Sequence, residues 1–180
     1  MLDTDGTTLF PNAPFGTEDL GVSSCEKKQY KKNCENVTQY SLDTFVKQHI
    51  AKAPSENSVM IDFLSIDVEG FDLLVLKGAT KTLPRTKYLE FEYNSVGAWK
   101  QQNLSTAIDL LGGAGFQCYW AGKEGRLWRI TNCWMDSFNQ LKQWSNVACV
   151  HLRHAPTLAR RMEGRFLHTL QTFVPLGRRR

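Results

Sequence analysis

Residues 60–79, MIDFLSIDVEGFDLLVLKGA, constrain the fold more than any other stretch of the chain. Residues 61–66 form an apolar run broken only by Asp62 and Ser65, the length of a buried strand. The run turns polar at Asp67, Glu69 and Gly70. Apolar residues return at Phe71, Leu73, Leu74 and Leu76, a spacing that suits one face of a helix, and Gly78 follows. A strand, a carboxylate-bearing turn and a helix in that order predict an α/β sheet. In open sheets of that class, ligands bind outside the carboxyl ends of the strands. Asp67 and Glu69 stand at such an end.

The rest of the chain continues the alternation. Ser41 is placed to cap a helix carrying Leu42, Phe45, Val46 and Ile50 and ending before Pro54. A second helix is expected over 72–82, with Pro84 as its stop. Residues 88–93 alternate, with Leu89, Phe91 and Tyr93 on one face and Glu90 and Glu92 on the other. A helix separates this run from the first, so the two are expected side by side in a mostly parallel sheet. A helix starting at Asn103 or Ser105 ends at Gly112 and Gly113. Strands over 116–120 and 127–130 flank a turn and predict a hairpin. A short helix is expected over 136–143 and a last strand over 146–152. An amphipathic helix over 156–173 closes the pattern. Before Ser41 the periodicity is poor, with short strands expected near 7–10 and 37–40.

Composition sets the outer bounds. The 180 residues, 42% hydrophobic, suffice for one domain with a sizeable core. The net charge of +4 is mild and is concentrated near the end, in Arg178, Arg179 and Arg180. No base-stacking motif accompanies that charge, so nucleic acid is not the expected partner. No run of about 18 apolar residues is present, so no membrane span is expected. The five cysteines contain no Cys-x-x-Cys pair. Cys118 and Cys149 lie in apolar strand-like runs and are expected as buried thiols. A Cys25–Cys34 bridge, in an oxidising compartment, stays open beside free thiols. Asn36-Val37-Thr38 and Asn103-Leu104-Ser105 match the glycosylation pattern, which arises often by chance. Neither signal fixes the compartment. His49, His151, His154 and His168 lack metal-ligand spacing, and no metal site is expected.

A carboxylate just past a strand has two uses. It caps the next helix, or it does chemistry. A wider pattern bears on the choice. Ile66-Asp67-Val68-Glu69-Gly70 and Lys77-Gly78-Ala79 resemble the signature of FkbM-type methyltransferases. Ser41-Leu42-Asp43 fits upstream. Leu89-Glu90-Phe91-Glu92-Tyr93, Ala114-Gly115-Phe116 and Asn146-Val147-Ala148-Cys149-Val150 fit in order downstream. The resemblance spans about residues 37–152. It implies a Rossmann-like methyltransferase sheet, mostly parallel, with an antiparallel hairpin at one edge. It implies S-adenosylmethionine as cofactor and methylation of a hydroxyl on a small molecule or glycan. Such a transfer needs the hydroxyl proton removed, by a carboxylate base or through a divalent cation that a carboxylate holds. Asp67, Glu69 and Glu92 are the expected catalytic residues, and Asp67 and Gly70 the expected cofactor contacts. Asn94 could orient a ligand, and the tryptophans of 116–145 could line an acceptor pocket or pack the core.

The chain departs from the family pattern at its beginning. Methyltransferases of this type bind cofactor at a glycine-rich first strand end, and the residues before Ser41 carry no such loop. The expected organisation is an irregular lead-in at 1–36, the back part of the domain at 37–152, and a terminal helix and basic tail at 153–180. Two functions follow, a methyltransferase or a non-catalytic domain of the same fold without cofactor. A sheet truncated on its N-terminal side would expose an apolar edge and favour self-association or a missing N-terminal part.

Overall fold

The computed structural model describes residues 3–14, 17, 24–25, 33–50 and 59–172. Seven strands are formed among them: β1 (Gly6–Pro11), β2 (Cys34–Gln39), β3 (Ile61–Ile66), β4 (Thr86–Tyr93), β5 (Phe116–Ala121), β6 (Leu127–Arg129) and β7 (Ser145–His151). Four α-helices accompany them: α1 (Leu42–Phe45), α2 (Asp72–Lys77), α3 (Leu104–Gly113) and α4 (Pro156–Thr172). β1 and β2 pair antiparallel as a separate ribbon. The ribbon is tied to α1 by Asp5, whose carboxylate accepts from Ser41 N–H at 2.7 Å and from Thr44 Oγ1 at 2.8 Å.

The main sheet has the order β3-β4-β7-β5-β6. β3 and β4 are parallel, as the intervening helix requires. The expectation of a mostly parallel sheet does not hold. β7 runs antiparallel to both of its neighbours, β4 and β5, and β5 runs antiparallel to β6. The reason lies in the connections. β7 is the last strand, reached from the β5–β6 hairpin through a loop and a 3₁₀ turn rather than through a crossover helix. It inserts between β4 and β5 from the opposite direction, so β3, β4 and β5 still point the same way. The expected hairpin at one edge is present, with Trp120 opposite Trp128.

Strand parity sorts the two faces. Ile66, Leu89, Phe91, Tyr93, Val147, Cys149, Cys118 and Phe116 pack with Leu73 and Leu76 of α2 and Leu104, Ala107, Ile108 and Leu111 of α3. The opposite face of β7 and β5, with Tyr119, Ala148 and Val150, is covered by Ala159, Met162 and Phe166 of α4. Burying a side chain such as Leu89 or Leu111 stabilises by about 1.5–3 kcal/mol. Among the described residues the sheet is thus a middle layer between helices, except on the outer face of β3 and β4.

Two further expectations are corrected. α2 stops at Lys77 rather than running to residue 82. The Asp43 carboxylate takes Lys81 N–H at 2.9 Å, Thr82 N–H at 2.8 Å and Thr82 Oγ1 at 2.7 Å, which holds 80–82 in a turn. Cys118 and Cys149 are not free thiols. They face each other across β5 and β7, fully buried, and are joined in a disulfide. Cys25 and Cys34 form a second disulfide, and Cys133 is a free thiol. The basic tail at Arg178, Arg179 and Arg180 lies outside the described residues.

Candidate active site at the strand ends

β3 and β4 are adjacent and parallel, with Ile66 opposite Phe91. Asp67 and Glu92 therefore follow on neighbouring strands at the same rim, about 5 Å apart between backbones. Asp67 is exposed and Glu92 half-buried. Asp67 and Glu69 are two residues apart but do not share one side of a strand. β3 ends at Ile66, and Glu69 adopts φ 52° inside a turn, which breaks the two-residue alternation. Gly70 continues the turn at φ 87°.

That turn meets a second one. Gly97, in the turn after β4, has φ 53°. A Cβ on Gly70 would collide with the Val96 carbonyl, and a Cβ on Gly97 would lie 2.6 Å from the Glu69 oxygen. Trp99 N–H donates to Gly70 O at 3.2 Å. Only glycines allow the two backbones this approach. Gly70 is buried against the neighbouring turn, so its place in the site is to shape the loop carrying Asp67 and Glu69. A non-glycine residue at positive φ, as at Glu69, costs about 1 kcal/mol and clusters at functional sites.

Asp72 anchors the crossing from below. It opens α2 and is fully buried. Its Oδ1 accepts Glu92 N–H at 3.3 Å and its Oδ2 accepts the Trp99 indole N–H at 3.3 Å. The same indole donates to Glu92 O at 2.9 Å. Burial raises the Asp72 carboxyl from 3.8 to about 6, against these hydrogen bonds and with the Glu92 charge adding to the rise. Asp72 thereby couples the β3–α2 turn to the end of β4. No sequence pattern singles it out, because its partner Trp99 lies 27 residues away.

Glu90 lies one turn of the pleat below Glu92 on the open sheet face. It is half-buried and accepts from Tyr88 OH at 3.3 Å and Ser65 Oγ at 3.5 Å. Burial, then the Glu90 charge beside it, pushes the Tyr88 phenol up to about 12, so it remains a donor. Glu90 is therefore a paired carboxylate of the sheet face, which answers the requirement for a partner.

At the end of β4, Asn94 is fully buried. Its Oδ1 accepts Val96 N–H at 3.1 Å, while its Nδ2 has no partner. An unsatisfied buried donor costs about 1–3 kcal/mol, and each such group calls for an explanation. Beyond it, Tyr93 packs edge-on against Trp99 at 4.9 Å and lies 6.1 Å from Trp120. Trp120 and Trp128, with Met135, Phe138, Leu141 and Gly122, line an open cavity of about 410 Å³. The tryptophans thus divide. Trp99 is core, and Trp120 and Trp128 border the cavity.

His151 and His154 lie together at the end of β7, their ring centroids 4.3 Å apart. His151 Nδ1 accepts from the backbone N–H groups of Arg153 and His154 at 3.2 and 3.4 Å, closing the turn after β7. Burial lowers the His151 imidazole, and the charges of His154 and Arg153 lower it further. Among the described residues no group of three or more His, Cys, Asp or Glu stands together so as to hold a metal ion. Among them, too, no helix is long and apolar enough to cross a membrane.

Neither a curated protein nor a solved structure matches the chain. A family model described as the methyltransferase FkbM domain matches residues 2–118. The matched span contains β1 to β4, the two crossing turns and all of Asp67, Glu69, Asp72, Glu92 and Asn94. It starts earlier than the quoted motifs and ends in β5. With well over half of its residues inside that match, the chain belongs to the FkbM methyltransferase family.

Proposed function

We propose that the chain is an S-adenosylmethionine-dependent O-methyltransferase domain with a Rossmann-like sheet, its acceptor a hydroxyl of a small molecule or glycan. Family membership supports methyl transfer at a coarse level. The observation that carries the finer reading is the rim itself. Two glycine turns cross there, a strained Glu69 sits beside Asp67, and a buried Asn94 amide N–H lacks an acceptor. A strained turn and an orphaned donor at the same strand ends both suit a ligand.

The residues present fit the cofactor. Asp67 offers a carboxylate to its hydroxyl or ammonium groups, Gly70 shapes the turn that presents Asp67, and Asn94 Nδ2–H offers a donor to an oxygen. When bound, S-adenosylmethionine supplies an electrophilic methyl group on a sulfonium and leaves as a neutral thioether. The chain's own residues handle the proton. Asp67, Glu69 or Glu92 accepts it from the acceptor hydroxyl as that oxygen becomes the nucleophile, a contribution of about 10²- to 10⁴-fold. Asp72 is a positioning residue, since it holds the Glu92 backbone and Trp99. The domain assignment follows, with 37–152 as the catalytic part, 1–36 as a lead-in and 153–180 as a terminal helix and tail.

The second reading is a non-catalytic domain of the same fold. It is favoured by one observation: β3, which carries the signature, pairs only with β4 among the described residues. Calorimetric titration of the 180-residue chain with S-adenosylmethionine separates the two. Micromolar binding, with methyl transfer lost in Asp67→Asn, supports the enzyme. Absence of binding by a folded chain moves it to the second reading.

A further inference from the structure

We infer that Asn103 carries an N-linked glycan and that the chain matures in an oxidising compartment. The inference rests on the cystines and on one helix cap, and it stands apart from the methyltransferase reading.

The cystines come first. Cys118 and Cys149 are directly opposite on β5 and β7, both fully buried, with their Cα atoms 4.1 Å apart. Cys25 and Cys34 are joined as well, with Cα atoms 6.1 Å apart. Two structural disulfides in one small domain belong to secreted, lumenal or periplasmic chains rather than to a reducing cytosol. In that setting an Asn-x-Ser triplet stops being a chance pattern and becomes a substrate.

Asn103 is built to be one. It occupies the N-cap position of α3, with φ −106° and ψ 143°, where an Asn side chain ordinarily accepts a backbone N–H of the first turn. Here it makes no capping bond. Asn139, from the 3₁₀ turn before β7, does the work instead, its Oδ1 accepting Ser105 N–H at 3.1 Å. Leu104 anchors the triplet in the core at 0% exposure, while Asn103 itself is exposed. The Asn103 amide is therefore held outward and freed from capping. A substituent on its nitrogen extends into solvent and displaces no capping bond. The second triplet, Asn36-Val37-Thr38, lies on β2 with Asn36 exposed, two residues from the cystine at Cys34.

The modification needs a lipid-linked oligosaccharide pyrophosphate as donor. The Asn103 amide nitrogen forms a bond to the anomeric carbon of the sugar. The carbon–oxygen bond to pyrophosphate breaks, and the amide proton is lost to a base of the transferase. The glycan then stands at the start of α3, just after the turn that follows β4, on the rim that holds Asp67 and Glu92.

The test is peptide mapping of the chain purified from its own cells without reductant, with thiols blocked by alkylation. Peptide-N-glycosidase treatment in heavy-oxygen water, which hydrolyses the amide bond to the sugar, should convert Asn103 to a labelled Asp, and Cys118 should be recovered joined to Cys149. The variants Asn103→Gln and Ser105→Ala should each remove one glycan step in gel migration. An unmodified Asn103, or alkylated Cys118 and Cys149, overturns the inference, as does unaltered migration of Asn103→Gln.

Discussion

The two halves of the main sheet are built differently. On the β7–β5–β6 side, strand β7 is buried from Val147 to His151, lies between α3 and α4, and is bridged to β5 by a disulfide. Glu163 of α4 gathers Arg129 at 2.6 Å, Gln117 at 2.8 Å and Tyr119 OH at 2.9 Å, and Arg129 also stacks over Phe166. On the β3–β4 side, Asp62, Phe63 and Ser65 of β3 are exposed, and Phe63 lies 55% exposed against Tyr88. The exposed half carries the signature stretch. Its sequence is specified by turn geometry and carboxylate placement, while the covered half supplies packing and crosslinking. The candidate site and the disulfide thus lie on opposite sides of one sheet, while the core packed by α2 and α3 runs through both.

The largest expected effect breaks the covered half. Replacing Cys118 and Cys149 together by Ala opens a constraint between residues 31 apart in sequence. The chain-entropy relation puts the loss at about 3–4 kcal/mol. Denaturant midpoints of the variant and the parent, each with and without reductant, measure it. The parent should lose more on reduction than the variant, which has only the Cys25–Cys34 bridge left to open. A loss below about 1 kcal/mol would show that packing by α3 and α4, not the crosslink, carries this half. Any S-adenosylmethionine binding measured for the parent should persist in the variant under mild conditions.

The next effect lies at the junction between the halves, at Asp72. Its carboxyl is raised to about 6 in the fold from 3.8. Between those values the folded chain binds the extra proton, so stability falls as pH rises from 3.8 through 6. The full difference is about 3 kcal/mol, reached above pH 6. Burial is the first cause of the rise, and it acts against the hydrogen bonds from Glu92 N–H and Trp99 Nε1. In Asp72→Asn the charge is gone, and the decline over this window should flatten, as read from unfolding free energies at a series of pH values. The Trp99 indole keeps Glu92 O as acceptor at 2.9 Å, and the parent's carboxyl is itself protonated at pH 4, so there the variant should lie within about 1 kcal/mol of the parent. An unchanged pH slope would remove Asp72 from the account of the junction.

How far the sequence reached follows the same division. β3, β4, α3, the β5–β6 hairpin and α4 were legible because each carries a clear period, such as Leu89, Phe91 and Tyr93 on one face. The direction of β7 was not, since an apolar run such as Val147–Val150 reads alike in either orientation. The Cys118–Cys149 bridge was hidden for a related reason: pairing depends on register, and register is a property of the sheet. At the candidate site, Asp67, Glu69 and Glu92 were nameable as candidates from their place at strand ends. Asp72 could not, because its burial and its contact with Trp99 depend on two turns meeting. The strain at Glu69 was equally silent, for nothing in Asp-Val-Glu-Gly states that the positive φ begins before the glycine.

That strain gives the smallest effect and the sharpest separation of chemistry from stability. Glu69 holds φ 52°, a conformation in which glycine carries no Cβ penalty. Glu69→Gly should therefore relieve about 1 kcal/mol, partly offset by the greater freedom of glycine in the unfolded chain. The backbone contributions alone thus nearly cancel, and any change in stability of this variant, which lacks one rim carboxylate, reports what the Glu69 side chain itself contributes. If Glu69 serves the transfer, turnover of methyl groups should fall by about 10²-fold or more while the denaturant midpoint holds. Asp67→Asn, at an exposed position, should likewise leave stability within about 0.5 kcal/mol. A midpoint that drops in Glu69→Gly would mean that the Glu69 side chain stabilises the turn by more than the backbone loses. In that case the open half, too, is held by its side chains, and the contrast between the halves narrows to one of burial alone.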